Sequence, residues 1–528
     1  MSKRTDRKRW LSILGILLGF ALIAAACGSD DDGDDEVVAE EEAPAEEEAP
    51  AEEEAPAEEE APAEEEAPAE EEAPAEEEAP PEEETAGDNE VRLGIMAECE
   101  GAFGGFHEDI TAGAVLGMIN GAGATSNSTT TALDGFSGAS VAGTPINLVG
   151  IGCGDDTPDR AIQEIRTLVE QDGANVIIGP LSGDEGIAIA NYAKDHPEVT
   201  FLDGSSGAQD TTLSVQAPNY FRWHADGAQW NAGIGDILHN TAGWDTAAVI
   251  ADDYGFGWTS AAGFTAEFCA VGGDVVQQVF PPLGTTDYSS FVAQLPNPDE
   301  VDGYFWVIGG TGTNASLEAF LNAKGDLTGD QHAGNLFFSP ALAAALGTDI
   351  AGAYVGGFAN LPGDISTPEI DAYLASADAA WETLAGGLSG NEPAEPSLAA
   401  GFGFMYAYYS ASAAFTEALA AVDGDLSDNH AALRAEMSTM TWEGPFGDIS
   451  LDENRQAIAD TSVQQLVLDE NEEVISKTVV IVPAVDQTFG GTFSEETDPP
   501  ERDNVSCEER DLPWVGNAIP VVDGVPQN

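Results

Sequence analysis

The stretch 146-INLVGIGCGDDTPDRAIQEIRTLVEQDGANVIIGP-180 decides the fold. It opens on an apolar run, 146 to 152, that suits a buried strand. Thr157 then stands where a helix N-cap belongs and Pro158 in the first turn, and Ile162, Ile165, Leu168 and Val169 fall on one helical face. Gly173 ends that helix, and "NVIIG" begins the next strand. Strand, amphipathic helix and strand in 35 residues form one parallel β-α-β unit.

The pattern extends both ways. Upstream, "VRLGIMA" (91 to 97) is a strand and "AGAVLGMIN" a helix; downstream come helix "EGIAIANYAKD" and strand "VTFLDG". After "YFRWHADG" (220 to 227) a second alternating run begins. Helix "AQWNAGIGDILHN" leads to strand "AAVIA", helix "TSAAGFTAEFCAVG" to "VVQQVF", helix "YSSFVAQL" to "GYFWVIGG", and helix "NASLEAFLNAKG" to "NLFFS". Residues 365 to 440 read as helical, and "VQQLVLD" with "VISKTVVIVP" as a closing two-stranded unit. The expected class is α/β, with two doubly wound parallel-sheet lobes. A chain of 438 residues from 91 to 528 exceeds what a single core usually serves, which also favours two lobes.

The N-terminus is not part of that fold. Lys3, Arg4, Arg7, Lys8 and Arg9 precede 17 uncharged residues, Trp10 to Ala26, the layout of a signal peptide. Ala24, Ala25 and Ala26 before Cys27 resemble the lipobox of bacterial lipoproteins, with alanine at 24 where leucine is usual; the resemblance implies a diacylglycerol on the Cys27 sulfur. Beyond it, seven AP(A/P)EEE units run from Ala43 to Glu84. Residues 28 to 90 hold 32 acidic and no basic residues, so they bury no core and self-repulsion extends them as a tether.

The formal charge is −80; setting aside −32 in the tether and +4 in the leader leaves −52 on residues 91 to 528. Such a surface excludes nucleic acid and anionic lipid as partners. The six histidines are scattered singly and no CxxC pair occurs, so no metal site or cofactor is expected. Neither GxSxG, HExxH nor a serviceable SxxK is found, and an enzyme is not the expectation.

The element order, with "IGPLSGDEG", "FLDGSSG", "YFRWHADG", "ADDYGFGWTSAAGFTAEF" and "WEGPFGDISLDENR", resembles the type I periplasmic binding proteins, in particular the branched-chain amino-acid-binding group serving ABC importers. The resemblance covers about residues 90 to 485. It implies two lobes joined by three crossovers, near 222 to 226, 355 to 361 and 446 to 450, that close on a small polar ligand and dock on an ABC permease. The divisions are then 1–26 signal peptide, 27–90 lipidated tether, 91–223 plus 358–448 N-terminal lobe, 224–357 plus 449–485 C-terminal lobe, and 486–528 C-terminal tail. It implies a monomer, held by its lipid on the outer face of the cytoplasmic membrane; a sensory subunit for a membrane receptor, or an exported hydrolase, is the alternative.

Ligands of open α/β sheets bind beyond the carboxyl ends of the strands, so the turns 97 to 106, 180 to 185, 203 to 207, 252 to 258 and 309 to 313 should wall the cleft. These turns carry Glu98, Glu100, Asp184, Glu185, Asp203, Asp252 and Asp253 with no Lys or Arg, which favours a cation or zwitterion. From the resemblance, Ser182, Gly183, Ser205 and Ser206 hold an α-carboxylate and Tyr254 closes over an ammonium group, making the ligand an amino acid or a related zwitterion or amide. Gly183 stands where the family has a second serine, and Ala341 where it often has an acidic anchor. Phe103, Phe106, Phe256 and Trp258 could supply an apolar wall, and Asp253 and Gly310 complete the candidate set.

Cys27 aside, four cysteines remain. Cys99 and Cys153 end neighbouring strands, whose equivalent ends lie about 5 Å apart, so they should pair. Cys269 is left to staple Cys507 in the tail.

Overall fold

A computed structural model describes residues 89–325, 328–335, 346–357, 365–387, 393–494 and 505–527. All fall within the compact unit Glu82–Asn528. The leader, Cys27, the repeat, Ala341 and residues 358 to 361 of the second crossover lie outside the described residues.

The first sheet has six strands, in the order Ser140–Val141, Thr144–Gly154, Val91–Glu98, Val176–Ile178, Thr200–Leu202, Tyr220–Phe221. All neighbours are parallel except the edge strand Ser140–Val141, which forms an antiparallel hairpin with Thr144–Gly154. Seven of the eight residues of Val91–Glu98 and all of Val176–Ile178 and Thr200–Leu202 are buried, as strands covered by helices on both faces must be. Val91–Glu98 pairs with Thr144–Gly154 so that Ala97 lies opposite Cys153, and the Cys99–Cys153 disulfide closes across the strand ends with Cα atoms 5.2 Å apart.

Helix Gly403–Ala421 returns from far along the sequence to cover this sheet beside helix His107–Ala122. Gly113, Gly117 and Gly121 form the contact stripe: a Cβ on any of them would overlap the Met405 carbonyl, Ser412 or Thr416, so only glycine lets the two helices approach this closely. The Tyr408 hydroxyl donates to the Met96 carbonyl at 2.8 Å and ties that helix to the first strand.

The second sheet runs Asp274–Val279, Thr246–Ala251, Gly303–Val307, His332–Gly334, Tyr354–Gly357, Ala457–Leu468, Val474–Val485, Ile519–Val522, Val525–Pro526. It is parallel as far as Tyr354–Gly357 and antiparallel beyond. The fold is therefore the expected α/β arrangement of two sheets, with four differences. The strand expected at "NLFFS" lies earlier, at His332–Gly334, and residues 336 to 339 are outside the described residues. The helix expected at 228 to 240 is broken, because the Glu267 carboxylate accepts the Gly233 N–H at 2.9 and 2.8 Å. The helical stretch from 365 to 440 is interrupted by a bridge between Leu384 and Ala394. The closing two-stranded unit is not separate: its strands are 12 residues each and extend the second sheet.

The described residues of the tail, 486–494 and 505–527, are also more firmly held than a stapled tail. The Cys269–Cys507 disulfide is present, but Phe489, Phe493, Leu512 and Trp514 are buried too, against Ala228, Ala262 and Val482, and Ile519–Val522 adds a strand to the sheet.

The sheets are joined where Arg222, just after Phe221, lies beside Gln456 at the start of Ala457–Leu468. Arg222 is fully buried. Its Nη1 donates to the carbonyls of Ser206 (2.9 Å) and Ala208 (2.7 Å), its Nη2 to Thr212 Oγ1 (2.7 Å) and its Nε to Gln456, while Asp226 lies 3.9 Å away.

Candidate functional site

The turns at the carboxyl ends of the strands are fixed by carboxylates that accept backbone N–H groups. Glu98 accepts from Leu181 and Ser182, both at 2.7 Å, and so sets the 180 to 183 turn. Glu185 accepts from Asp155 (3.1 Å) and Asp156 (2.9 Å). Asp156 in turn accepts from Ala102 and Phe103, which directs the 97 to 106 loop. Asp203 accepts from Ser206 N at 2.8 Å and from the Tyr220 hydroxyl at 2.6 Å, and faces His224 Nε2 at 2.9 Å. Ser205 N donates to the Pro180 carbonyl at 3.0 Å and locks two of the turns together.

The two sheets' turns meet directly. Asp184 accepts from Gly255 N at 2.9 Å, and Thr311 N donates to the Ala102 carbonyl at 3.1 Å. Between them lies a cavity of about 10 Å³, room for roughly one water molecule. Phe103, Trp230, Tyr254, Phe256 and Phe404 line most of it, with Leu181, Ser205 and Gly207 completing the wall. The rings interlock: Phe103 sits 6.2 Å from Tyr254 and 6.5 Å from Phe404, and Phe256 is 5.1 Å from Trp230. In this conformation the aromatic side chains fill the cleft, so a ligand larger than water is held only where some of these rings turn aside.

Of the residues expected from the sequence, Phe103, Ser205, Tyr254 and Phe256 line this cavity, while Phe106 packs behind it on Phe402 and Phe404 and Trp258 is not among its lining residues. Ser182 is buried at the start of helix Gly183–Ala193 with its hydroxyl unpartnered, and Gly183 packs on the backbone of Phe256. The Ser206 side chain packs instead against Gly186 on helix Gly183–Ala193. Asp253 accepts from Trp258 Nε1 at 2.9 Å, and Gly310 abuts Ala102. Trp230 and Phe404 carried no signal in the sequence, since neither sits in a turn after a strand; Leu181 and Gly207 lie in turns that were read for their polar groups.

The site is acidic. Glu98 and Glu185 are buried beside each other; burial, with the Asp156 charge adding to it, raises Glu98 above the usual carboxylate range, and burial, with the Glu98 charge adding to it, raises Glu185. Burial pushes Asp156 up to about 6 and Asp252, whose carboxylate accepts from Gly309 N at 2.9 Å, up to about 8. Among the described residues the one metal-like grouping is Cys99, Glu100 and Cys153, and its two sulfurs are joined as a disulfide.

These raised values set a sign. A carboxyl whose folded pKa exceeds its unfolded value contributes stability below the unfolded pKa and loses it as pH rises through the folded one, at about 1.4 kcal/mol per unit. With Asp156 at about 6 and Asp252 at about 8, the melting temperature should fall between about pH 5.5 and pH 8.5 in high salt, where exposed charges are screened. Asp252→Asn should flatten the upper part of that fall, and a profile level across the window would contradict the reading.

The sequence pattern of the periplasmic binding protein family matches residues 90–472. No curated protein matches the chain significantly. Among solved structures, an ABC transporter substrate-binding protein from Sphaerobacter thermophilus is 22% identical, with a TM-score of 0.60 over 75% of this chain and 99% of its own. A solute binding protein of an ABC transporter from Rhodopseudomonas palustris BisB5, in complex with 3,4-dihydroxybenzoic acid, is 20% identical, with a TM-score of 0.61 over 77% and 100%. A leucine binding protein from Thermotoga maritima MSB8 is 17% identical, with a TM-score of 0.55 over 74% and 99%.

Proposed function

We propose that this chain, which belongs to the periplasmic binding protein family, is of the branched-chain amino-acid-binding group and is the extracytoplasmic lipoprotein that captures a small polar ligand for an ABC importer. Its role is binding rather than catalysis. The observation that carries the reading is that one small cavity is walled from both sheets, by Phe103, Leu181 and Ser205 on one side and Tyr254 and Phe256 on the other. Contacts shared between two hinged bodies let a ligand select the closed state.

The lobes are 91–223 plus 358–448 and 224–357 plus 449–485, with residues 486 to 528 packed onto the second. The acyl group on Cys27 holds the protein at the outer face of the cytoplasmic membrane and the acidic tether carries the lobes outward; the closed form meets the permease. An ammonium group is the feature of the ligand that the surrounding carboxylates favour, which fits an amino acid or a related zwitterion or amide.

Thermal-shift screening of a metabolite panel should find a binder, since a ligand at 100 times its Kd adds about 2.7 kcal/mol of stability. Small-angle scattering at saturation with that binder should show a smaller radius of gyration than the free protein. An unchanged radius with a proven binder would refute hinge closure.

A further inference from the structure

We propose that the cleft selects an organic cation, an ammonium or guanidinium head on an apolar body, over zwitterionic and anionic ligands of the same shape. This rests on the binding-protein reading and departs from it in one respect: the ligand carries the ammonium or guanidinium charge without a carboxylate.

Three observations converge. The first is the wall: five of the side chains around the cavity are aromatic, and the faces of Trp230, Tyr254 and the phenylalanines carry the negative potential that attracts a cation. The second is the charge behind that wall. Tyr254 lies within the field of Asp252, Asp156, Asp184 and Glu98, which with burial hold its phenol well above its ordinary value. Among the described residues no lysine or arginine lines the cavity. Arg222 approaches from the Ser206 turn, but four of its five N–H groups are committed to Ser206, Ala208, Thr212 and Gln456. A carboxylate entering this cleft would lose its hydration without meeting a counter-charge, whereas a cation would stand in the field of the carboxyl groups behind the ring wall and favour their ionised forms.

The third observation is a set of buried polar atoms without partners. Ser205 lines the cavity, is 2% exposed, and its hydroxyl has no hydrogen-bond partner. That oxygen can accept an ammonium N–H. Asp252 is 1% exposed and one of its carboxylate oxygens has no partner either. The Trp230 indole N–H, also buried and unpartnered, is a donor; it suits a neutral acceptor such as a hydroxyl or amide carbonyl on the ligand body. Unpaired buried groups of this kind discriminate strongly, because a ligand that leaves them unpaired forgoes the compensation.

The test is a charge series on matched bodies, titrated calorimetrically into the full-length protein in detergent. Phenethylammonium, L-phenylalanine and 3-phenylpropanoate share an aromatic body; isopentylammonium, L-leucine and 4-methylpentanoate share a branched aliphatic one. The cation of at least one set should bind at least tenfold more tightly than both of its isosteres. Asp252→Asn, checked for folding by its melting curve, should weaken the cation about tenfold while leaving the anion no weaker. A zwitterion or anion that binds as tightly as its matched cation overturns the cation inference and leaves the binding-protein reading standing. Failure of both cations to bind overturns it too, and the metabolite panel with scattering then decides the reading itself.

Discussion

Gly310→Ala should weaken ligand affinity at least tenfold and abolish the ligand-induced fall in radius of gyration, while the protein stays folded. Gly310 has φ +54° in the turn after strand Gly303–Val307. A Cβ at this position would overlap the Ala102 carbonyl oxygen and crowd the Phe103 ring, both on the first sheet's side of the cleft. The overlap therefore exists when the turns are in contact and vanishes when they separate. An alanine held at this φ costs about 1 to 2 kcal/mol in either state, which should lower the melting temperature modestly. The steric term falls on the closed state alone. It also pushes Thr311 N away from the Ala102 carbonyl and opens a 3.1 Å hydrogen bond. A ligand that must select the closed state pays that penalty in full, and 1.4 kcal/mol is already tenfold in Kd. Unaltered affinity with normal compaction would show that closure does not bring these two turns together.

Cys27→Ser should transfer the protein from the membrane fraction to the soluble fraction, or block its processing. The prediction rests on Cys27 ending an uncharged leader and opening an acidic tether, with no other lipid-attachment site in the sequence. One acyl chain gives only marginal, reversible attachment, whereas a diacylglycerol supplies two chains at about 0.8 kcal/mol per buried CH₂. A surface charge of −52 on the folded part offers no electrostatic attraction to anionic lipid in compensation. Among the described residues no helix is long and apolar enough to cross a membrane. Membrane retention of the serine variant would remove the lipid anchor from the proposal.

Much of this protein was determined by sequence alone, wherever the information is local. Apolar runs of five to eight residues, helix caps such as Thr157 and Pro158, and turn glycines act on their neighbours in the chain, so the alternation of strand and helix could be read directly. The pairing of Cys99 with Cys153 followed because parallel neighbours bring equivalent ends together, and the acidity of the cleft because it lies in the turns themselves.

Tertiary structure decided the rest. Trp230 and Phe404 reach the cavity from the short helix Gln229–Asn231 and from helix Gly403–Ala421, far along the chain from the first strand, and no local pattern marks them. Ser205 and Ser206 are adjacent and chemically identical, yet one lines the cleft and the other packs on Gly186; the turn set by Asp203 makes that choice. Arg222 reads as a lone basic residue in "YFRWHADG", and only the fold shows four of its five N–H groups donated to Ser206, Ala208, Thr212 and Gln456, with Asp226 3.9 Å away. The lack of positive charge in the cleft, on which selection of the ligand turns, is thus a result of long-range packing: burial removes water, and what remains to meet an incoming charge is whatever distant segments bring within a few ångströms.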